Sequence, residues 1–321
     1  MQVASTTQSD HAAVARAVTM PPPLTAPRFE LADARTGRIT CYGDGPAAST
    51  ARPLLLIHSV NAAATAYEMK PLFEHYRNVR PVYALDLPGF GLSDRADRIY
   101  TPRIMTDAVL LAADEVRRRH GDVAIDAIAL SLGCEFAARA GTEAPNLFRT
   151  LALLSPTGFD RRAEAAAKTT GNRDSTRAMP WVRNILNVPL WKHGFFTLLT
   201  SRASIRFFLQ KTFGRKDIDE GLLEYDYITT HQPGAENAPY SFVSGYLFST
   251  NALKLYQALA MPVWMVHGVR GDFVDYQGKH AVKGLPNWRI DVMQTGAMPH
   301  FEQLDKVIAG YDDFLARAAG A

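Results

Sequence analysis

The sequence predicts an α/β fold, a doubly wound and mostly parallel sheet carrying an inserted helical cap. Three observations predict it. Short apolar runs alternate with amphipathic helix patterns up to Pro156 and again from Asn251 onward, as in a parallel sheet covered on both faces. One run, Ile125 to Leu130, breaks abruptly at Ser131 and gives way to the helix-like Glu135-Phe136-Ala137-Ala138-Arg139-Ala140. Between residues 157 and 250 the alternation stops, and aromatic and basic residues fill pieces broken by Pro180, Pro189, Gly194 and Gly214. The expected organisation is a flexible tail over 1–27, a core over 28–156 and 251–321, and a cap over 157–250.

Each element has a local reason. Arg28 to Cys41 alternates polar and apolar residues around Ala34-Arg35-Thr36-Gly37, which predicts an edge hairpin. Pro53 to His58 is a short continuous apolar run, and Val79 to Leu85, Val123 to Leu130, Thr150 to Leu154 and Pro262 to His267 are mostly apolar stretches, as expected of buried strands. Ile290 to Met293 predicts the last strand. Helices are predicted around Tyr67 to Tyr76, over Thr101 to Arg119 (stopped by His120-Gly121), over Leu132 to Ala140, over Asn251 to Leu259 and over Phe301 to Ala318. Within the insertion, Asp217 to Tyr227 and Tyr240 to Leu247 read as cap helices.

Composition excludes several classes. With 47% apolar and 21% charged residues, the 321-residue chain matches an ordinary globular protein. Cys41 and Cys134 lie far apart and form neither a disulfide framework nor a zinc pattern, so a reducing, cytoplasmic location is expected. No apolar run is long enough to span a bilayer. Met1 to Thr19 lacks the apolar block of a signal peptide and runs into Pro21-Pro22-Pro23. Gly89-Phe90-Gly91 lacks the third glycine of a dinucleotide fingerprint, and His193, His231 and His280 show no ligand spacing; neither cofactor nor metal is expected. The net charge of +3 conceals an asymmetry: residues 161–216 hold twelve Lys/Arg against Glu164 and Asp174.

A serine on a tight strand-to-helix turn has its hydroxyl pushed clear of the sheet, and the residues two before and two after it must be small. Ala129 and Gly133 meet that demand around Ser131, giving a nucleophile elbow of the G-x-S-x-G kind with alanine in the first position. A nucleophilic serine needs a base, and the base an orienting acid. Later strand ends offer Asp272, after His267-Gly268-Val269-Arg270-Gly271, and His300, within Gly296-Ala297-Met298-Pro299-His300-Phe301-Glu302.

From about residue 40 onward the sequence resembles the cap-bearing, esterase-like serine hydrolases of the α/β-hydrolase family. His58-Ser59-Val60 is similar to the family's His-Gly oxyanion turn, and Asp86-Leu87-Pro88-Gly89-Phe90-Gly91-Leu92-Ser93-Asp94 to its D-x-P-G-x-G-x-S motif. Ser131 fits the elbow and Pro299-His300-Phe301-Glu302 the P-H-x-E segment. The resemblance implies a Ser131–His300–Asp272 triad, with Asp160 as reserve acid and Asp275 as a weaker third candidate. It implies an oxyanion hole made by the backbone N–H groups of Val60 and Leu132. Ser59 replaces the usual glycine, so its side chain is expected either to narrow the hole or to add a donor. His58 is expected to be structural and Cys134 a packing residue.

The implied function is cofactor-independent hydrolysis of a carboxylic ester or related acyl compound. A carbon–carbon bond hydrolase or lyase on the same triad, and a non-catalytic small-molecule-binding member of the fold, are the alternatives. Haloalkane dehalogenases and epoxide hydrolases resemble the chain but require aspartate where Ser131 stands. Asn61, Tyr225, Tyr227, Tyr240, Phe242 and Tyr246 are candidate lining for a substrate pocket. The basic, aromatic-rich insertion reads first as a cap packed on the core. Its sharper reading is peripheral contact with an anionic membrane; no nucleic-acid partner is expected, since no nucleic-acid fold accompanies it.

Overall fold

Strands buried on both faces place alternate side chains in two separate cores, and the apolar runs do so here. The computed structural model describes residues 20–160, 175–273 and 275–320. Its strands are β1 (Arg28–Asp33), β2 (Gly37–Asp44), β3 (Leu54–Ile57), β4 (Val82–Leu85), β5 (Ile125–Leu130), β6 (Phe148–Leu154), β7 (Val263–His267) and β8 (Trp288–Val292), in one sheet ordered β1-β2-β4-β3-β5-β6-β7-β8. β1 and β2 form an antiparallel hairpin, β2 joins β4 antiparallel, and every later pairing is parallel.

On one face, Leu55, Ile57, Ala127 and Ala129 pack with α2 (Pro102–Arg119), α3 (Gly133–Glu143) and, further along the chain, the helix Ala252–Gln257. On the other face, Leu54, Leu56, Ile128 and Leu130 pack with α1 (Lys70–Tyr76) and the C-terminal helix Leu304–Ala319. α2 starts where the Thr101 side chain accepts from the Ile104 N–H, with Pro102 at its first position.

The insertion contributes α4 (Pro180–Leu186), α5 (Lys192–Leu199), α6 (Arg202–Phe213), α7 (Glu220–Thr230) and α8 (Asn237–Val243). The chain then returns through α9 (Ala252–Gln257), α10 (His280–Lys283), α11 (Pro299–Glu302) and α12 (Leu304–Ala319). Ile205, Leu209 and Phe213 of α6 and Leu222 and Leu223 of α7 are buried with the second core, so this half of the cap is part of the body. The C-terminal end of α6 is bonded to two core loops through the main chain. Asp272 N–H donates to the Lys211 carbonyl (3.2 Å) and Ala297 N–H to the Thr212 carbonyl (2.9 Å). A side chain at Gly296 would stand 2.5 Å from the backbone of Phe213, so the approach requires glycine.

Three expectations need correction. Leu24 is fully buried and Met20 nearly so, so Met20 to Pro27 pack against the core rather than forming a flexible tail. Phe159 stacks on Tyr256 at 4.7 Å inside the first core, which moves the start of the cap beyond it. Tyr240 to Leu247 is helical only to Val243. The tail before Met20, and residues 161–174 of the basic insertion with Glu164 and Asp174, lie outside the described residues.

At the amino ends of the strands, fully buried Asp126 meets Arg80 (2.5 Å), Arg149 (3.0 Å) and the Thr150 hydroxyl (2.6 Å). These partners tie the approaches to β4, β5 and β6 together. The open depression of about 480 Å³ beside them lies at the opposite edge of the sheet from Ser131. Among the described residues no helix is long and apolar enough to cross a membrane.

Candidate active site

Ser131 sits at the carboxyl end of β5 with φ +52°, a left-handed conformation that a serine rarely adopts. Its N–H donates to the Leu154 carbonyl (2.9 Å), and its own carbonyl accepts from the Cys134 N–H (3.1 Å). The backbone is therefore held on both sides while the half-buried hydroxyl makes no hydrogen bond to any described residue. Two residues on, a Cβ at Gly133 would stand 2.3 Å from the His58 carbonyl oxygen. Only glycine lets α3 begin directly against the turn that follows β3.

That turn is built from buried polar groups. His58 accepts at Nε2 from the Leu87 N–H (2.9 Å), which leaves Nδ1 to donate to the Ser59 carbonyl (2.6 Å). Burial holds its pKa down at about 4, so His58 is a neutral strut, as expected. Leu87 belongs to the loop closed by Asp86, whose carboxylate accepts from the Ala66 N–H, the Leu92 N–H and the Tyr42 hydroxyl. The D-x-P-G segment thus works as a clasp beneath the turn.

Ser59 donates its N–H (2.8 Å) and hydroxyl (2.9 Å) to the Glu68 carboxylate, and Asn61 donates its Nδ2 to the same group (2.7 Å). Ser59 adds no donor to the hole, because its polar atoms are spent on Glu68. Asn61 likewise turns into its own loop instead of a pocket. The N–H groups of Val60 and Leu132 remain: Val60 is 3% exposed and Leu132 fully buried, and neither N–H has an acceptor among the described residues.

Glu68 is the group that sequence reasoning missed. Burial pushes its carboxyl up to about 7, against the pull of its donors from Ser59 and Asn61. Asp226, on α7 and 6% exposed, is pushed well up by burial and secondarily by the charges of Glu68 and Asp219. The only sequence signal was an acid inside the otherwise apolar Ala66-Tyr67-Glu68-Met69. Glu135, in the first turn of α3, is a further buried acid. It accepts from the Thr157 hydroxyl (2.6 Å) and the Ser249 N–H (3.1 Å), and so fastens the elbow helix to the chain leaving β6 and to the end of the cap.

The three expected triad residues are not brought together. His300 is fully buried at the start of α11, and its Nε2–H donates to the Glu68 carbonyl (2.6 Å). Its Nδ1 is buried with no partner, and burial lowers its pKa to about 4. Asp272 is an exposed residue whose carboxylate lies 3.3 Å from Lys211 Nζ. Among the described residues no hydrogen bond joins Ser131, His300 and Asp272. Glu302 braces the loop before His300. Its carboxylate accepts from the Gly296 N–H (2.6 Å) and pairs with Arg270.

Other candidates fall elsewhere. Asp160 pairs with Arg177 at 3.7 Å, and Asp275 caps the Gln277 N–H at 3.2 Å. The expected pocket aromatics have packing and hydrogen-bond partners of their own. Tyr225 stacks on Tyr67 and donates to the Pro21 carbonyl, Tyr240 donates to the Lys192 carbonyl, and Phe242 packs on Phe248. Cys134 is fully buried with its thiol pKa pushed well up by burial, an inert packing residue. Among the described residues no group of three His, Cys, Asp or Glu side chains could hold a metal ion.

A parallel sheet with the elbow serine at its carboxyl edge, opposite two free backbone donors, defines a class. Residues 54–309 match the model of the alpha/beta hydrolase family, and the chain belongs to that family. Solved structures with the same fold include a thermophilic esterase from Thermogutta terrifontis (17% identity, 91% of this chain and 99% of that one, TM-score 0.64). A meta-cleavage product hydrolase from Pseudomonas fluorescens is similar too (16% identity, 88% and 95%, TM-score 0.63). So is a probable hydrolytic enzyme from Pseudomonas aeruginosa (17% identity, 91% and 95%, TM-score 0.63). At these identities the likeness shows the fold alone. Comparison with curated protein sequences finds no match.

Proposed function

We propose that this chain hydrolyses a carboxylic ester or related acyl compound through an acyl-Ser131 intermediate. One observation carries the reading: a serine at φ +52° faces a turn where the buried N–H groups of Val60 and Leu132 have no acceptor. Left-handed strain opposes folding by ~1–3 kcal/mol. Each buried unpaired donor opposes it by a further ~1–3 kcal/mol. A substrate oxygen seated between the two donors removes the second penalty. Ser131 Oγ adds to the carbonyl carbon, the oxygen gathers negative charge between the N–H groups, and the serine proton passes to a base and on to the leaving group. Water then cleaves the acyl-serine. His300 is the proposed base and Asp272 its orienting acid in an arrangement where the imidazole has left the Glu68 carbonyl.

A second reading, binding of a carbonyl compound without turnover, is favoured by the engaged Nε2 of His300 and the surface position of Asp272. Intact mass after treatment with a fluorophosphonate, followed by peptide mapping, separates the two. Stoichiometric labelling at Ser131 that is lost in Ser131→Ala and slowed in His300→Ala supports hydrolysis with His300 as base. Labelling indifferent to His300→Ala removes His300 from the mechanism. Folded protein that takes no label leaves the binding reading.

A further inference from the structure

We propose that the hairpin formed by α4 and α5 docks the protein on an anionic phospholipid surface, with its apolar face in the headgroup–acyl boundary. Short helices are held in water by burying one face, and this pair buries almost nothing. α4 has no buried residue and α5 only Phe196, which anchors the hairpin edge-on against Tyr240 at 5.8 Å. The opposite side is apolar and faces solvent: Trp181 65% exposed, Ile185 51%, Leu190 87%, Trp191 44%, Phe195 44% and Leu198 73%. Trp181 and Ile185 are four residues apart on α4, and Trp191, Phe195 and Leu198 repeat at helical spacing along α5, so each helix presents one stripe. Trp191 Nε1–H donates to the Ile185 carbonyl at 2.9 Å and joins the two stripes.

Charge and shape choose the occupant. Thr176 to Lys216 carries eight Lys/Arg and no Asp or Glu. Six of these cations reach acids: Arg177 pairs with Asp160, Lys192 on the hairpin with Asp97, Arg202 with Glu224, Arg206 with Glu220, Lys211 with Asp272 and Arg215 with Glu302. Arg183, on the hairpin, and Lys216 have no acidic partner among the described residues. A second copy would set like charge against like charge across the same face. An anionic headgroup layer complements it, and every cation held near such a surface adds to the attraction. The apolar residue at the apex, Leu190, protrudes between the helices, a convex form that enters a lipid interface and leaves a flat protein partner unsatisfied. Tryptophan is the residue that settles at that depth.

The test is co-sedimentation of the full chain with phosphatidylglycerol-containing vesicles and with pure phosphatidylcholine vesicles. It is read together with intrinsic fluorescence, since Trp264 and Trp288 are buried and leave Trp181 and Trp191 to respond. Expected results are binding to the anionic vesicles with a blue shift, weakened several-fold when salt rises from ~0.1 to ~0.5 M. Leu190→Asp and Trp181→Ala, at exposed positions, should each reduce partitioning by about tenfold with unchanged circular dichroism. Absence of binding at low salt overturns the proposal, as does equal affinity for the two vesicle types or indifference to Leu190→Asp. A dimer by light scattering that Leu190→Asp dissociates, without vesicle binding, assigns the face to a second copy instead.

Discussion

Replacing Glu68 by glutamine should change stability in a way that depends on pH. The carboxyl is fully buried and held at about 7 in the folded chain, against 4.5 for an ordinary glutamate. Below both values the group is protonated in both states and contributes nothing. Between them the unfolded chain releases the proton while the folded chain keeps it, so stability falls as pH rises, and the fall ends above the folded value. At 1.36 kcal/mol per unit the penalty grows from ~0.8 kcal/mol at pH 5 to ~3.3 kcal/mol at pH 8. Glu68→Gln removes the penalty but leaves Asn61 Nδ2 facing another donor, a loss of ~1 kcal/mol. The variant should therefore match the parent near pH 5 and exceed it by ~2 kcal/mol at pH 8. Urea unfolding of both proteins at several pH values measures this. The difference between the two curves is the quantity to read. His58 and His300, with pKa values lowered to about 4 by burial, destabilise both proteins as pH falls below the ordinary histidine range and cancel in that difference. A difference that stays flat from pH 5 to pH 8 refutes the claim that Glu68 is folded as a neutral acid.

Further outcomes follow from the same geometry. Gly133→Ala places a methyl 2.3 Å from the His58 carbonyl, between two backbones, and should lower stability by ~2–3 kcal/mol while abolishing fluorophosphonate labelling, read by melting and mass. Asp126→Asn strips the charge that Arg80 and Arg149 share in a buried site and should cost ~3–5 kcal/mol in urea unfolding. Asp272→Asn, at an exposed position beside Lys211, should change stability by less than ~0.5 kcal/mol and slow the labelling of Ser131, as loss of the acid that orients His300 requires. An unchanged rate would remove Asp272 from the triad.

The sheet was legible because its signals are local. Mostly apolar stretches at β3, β4, β5 and β7 admit little but doubly buried strands, and Ser131 between Ala129 and Gly133 specifies its turn through sterics alone. The orientation of His300 was not legible. It follows from the bond to the Glu68 carbonyl, 232 positions away in sequence. Asp272 was placed by spacing, yet its loop is captured by Lys211 from the cap, a contact between segments with no shared pattern. Ser59 stood out as a departure from glycine, but its meaning depended on a carboxylate nine residues later that no motif marks. Aromatic residues in the insertion announced burial without saying against what; Tyr225 and Tyr240 brace the cap, while Trp181 and Trp191 face outward.

The main-chain bonds that fasten Lys211 and Thr212 to the loops after β7 and β8 also determine how the cap can breathe. Lifting this corner would break both bonds, at ~0.5–1.5 kcal/mol each, and unseat the buried Phe213. The corner is accordingly the firmly held part of the cap, and α4 and α5, with Phe196 as their one buried residue, the lightly held part. Amide hydrogen exchange should therefore be slowest at this corner and fastest along α4 and α5.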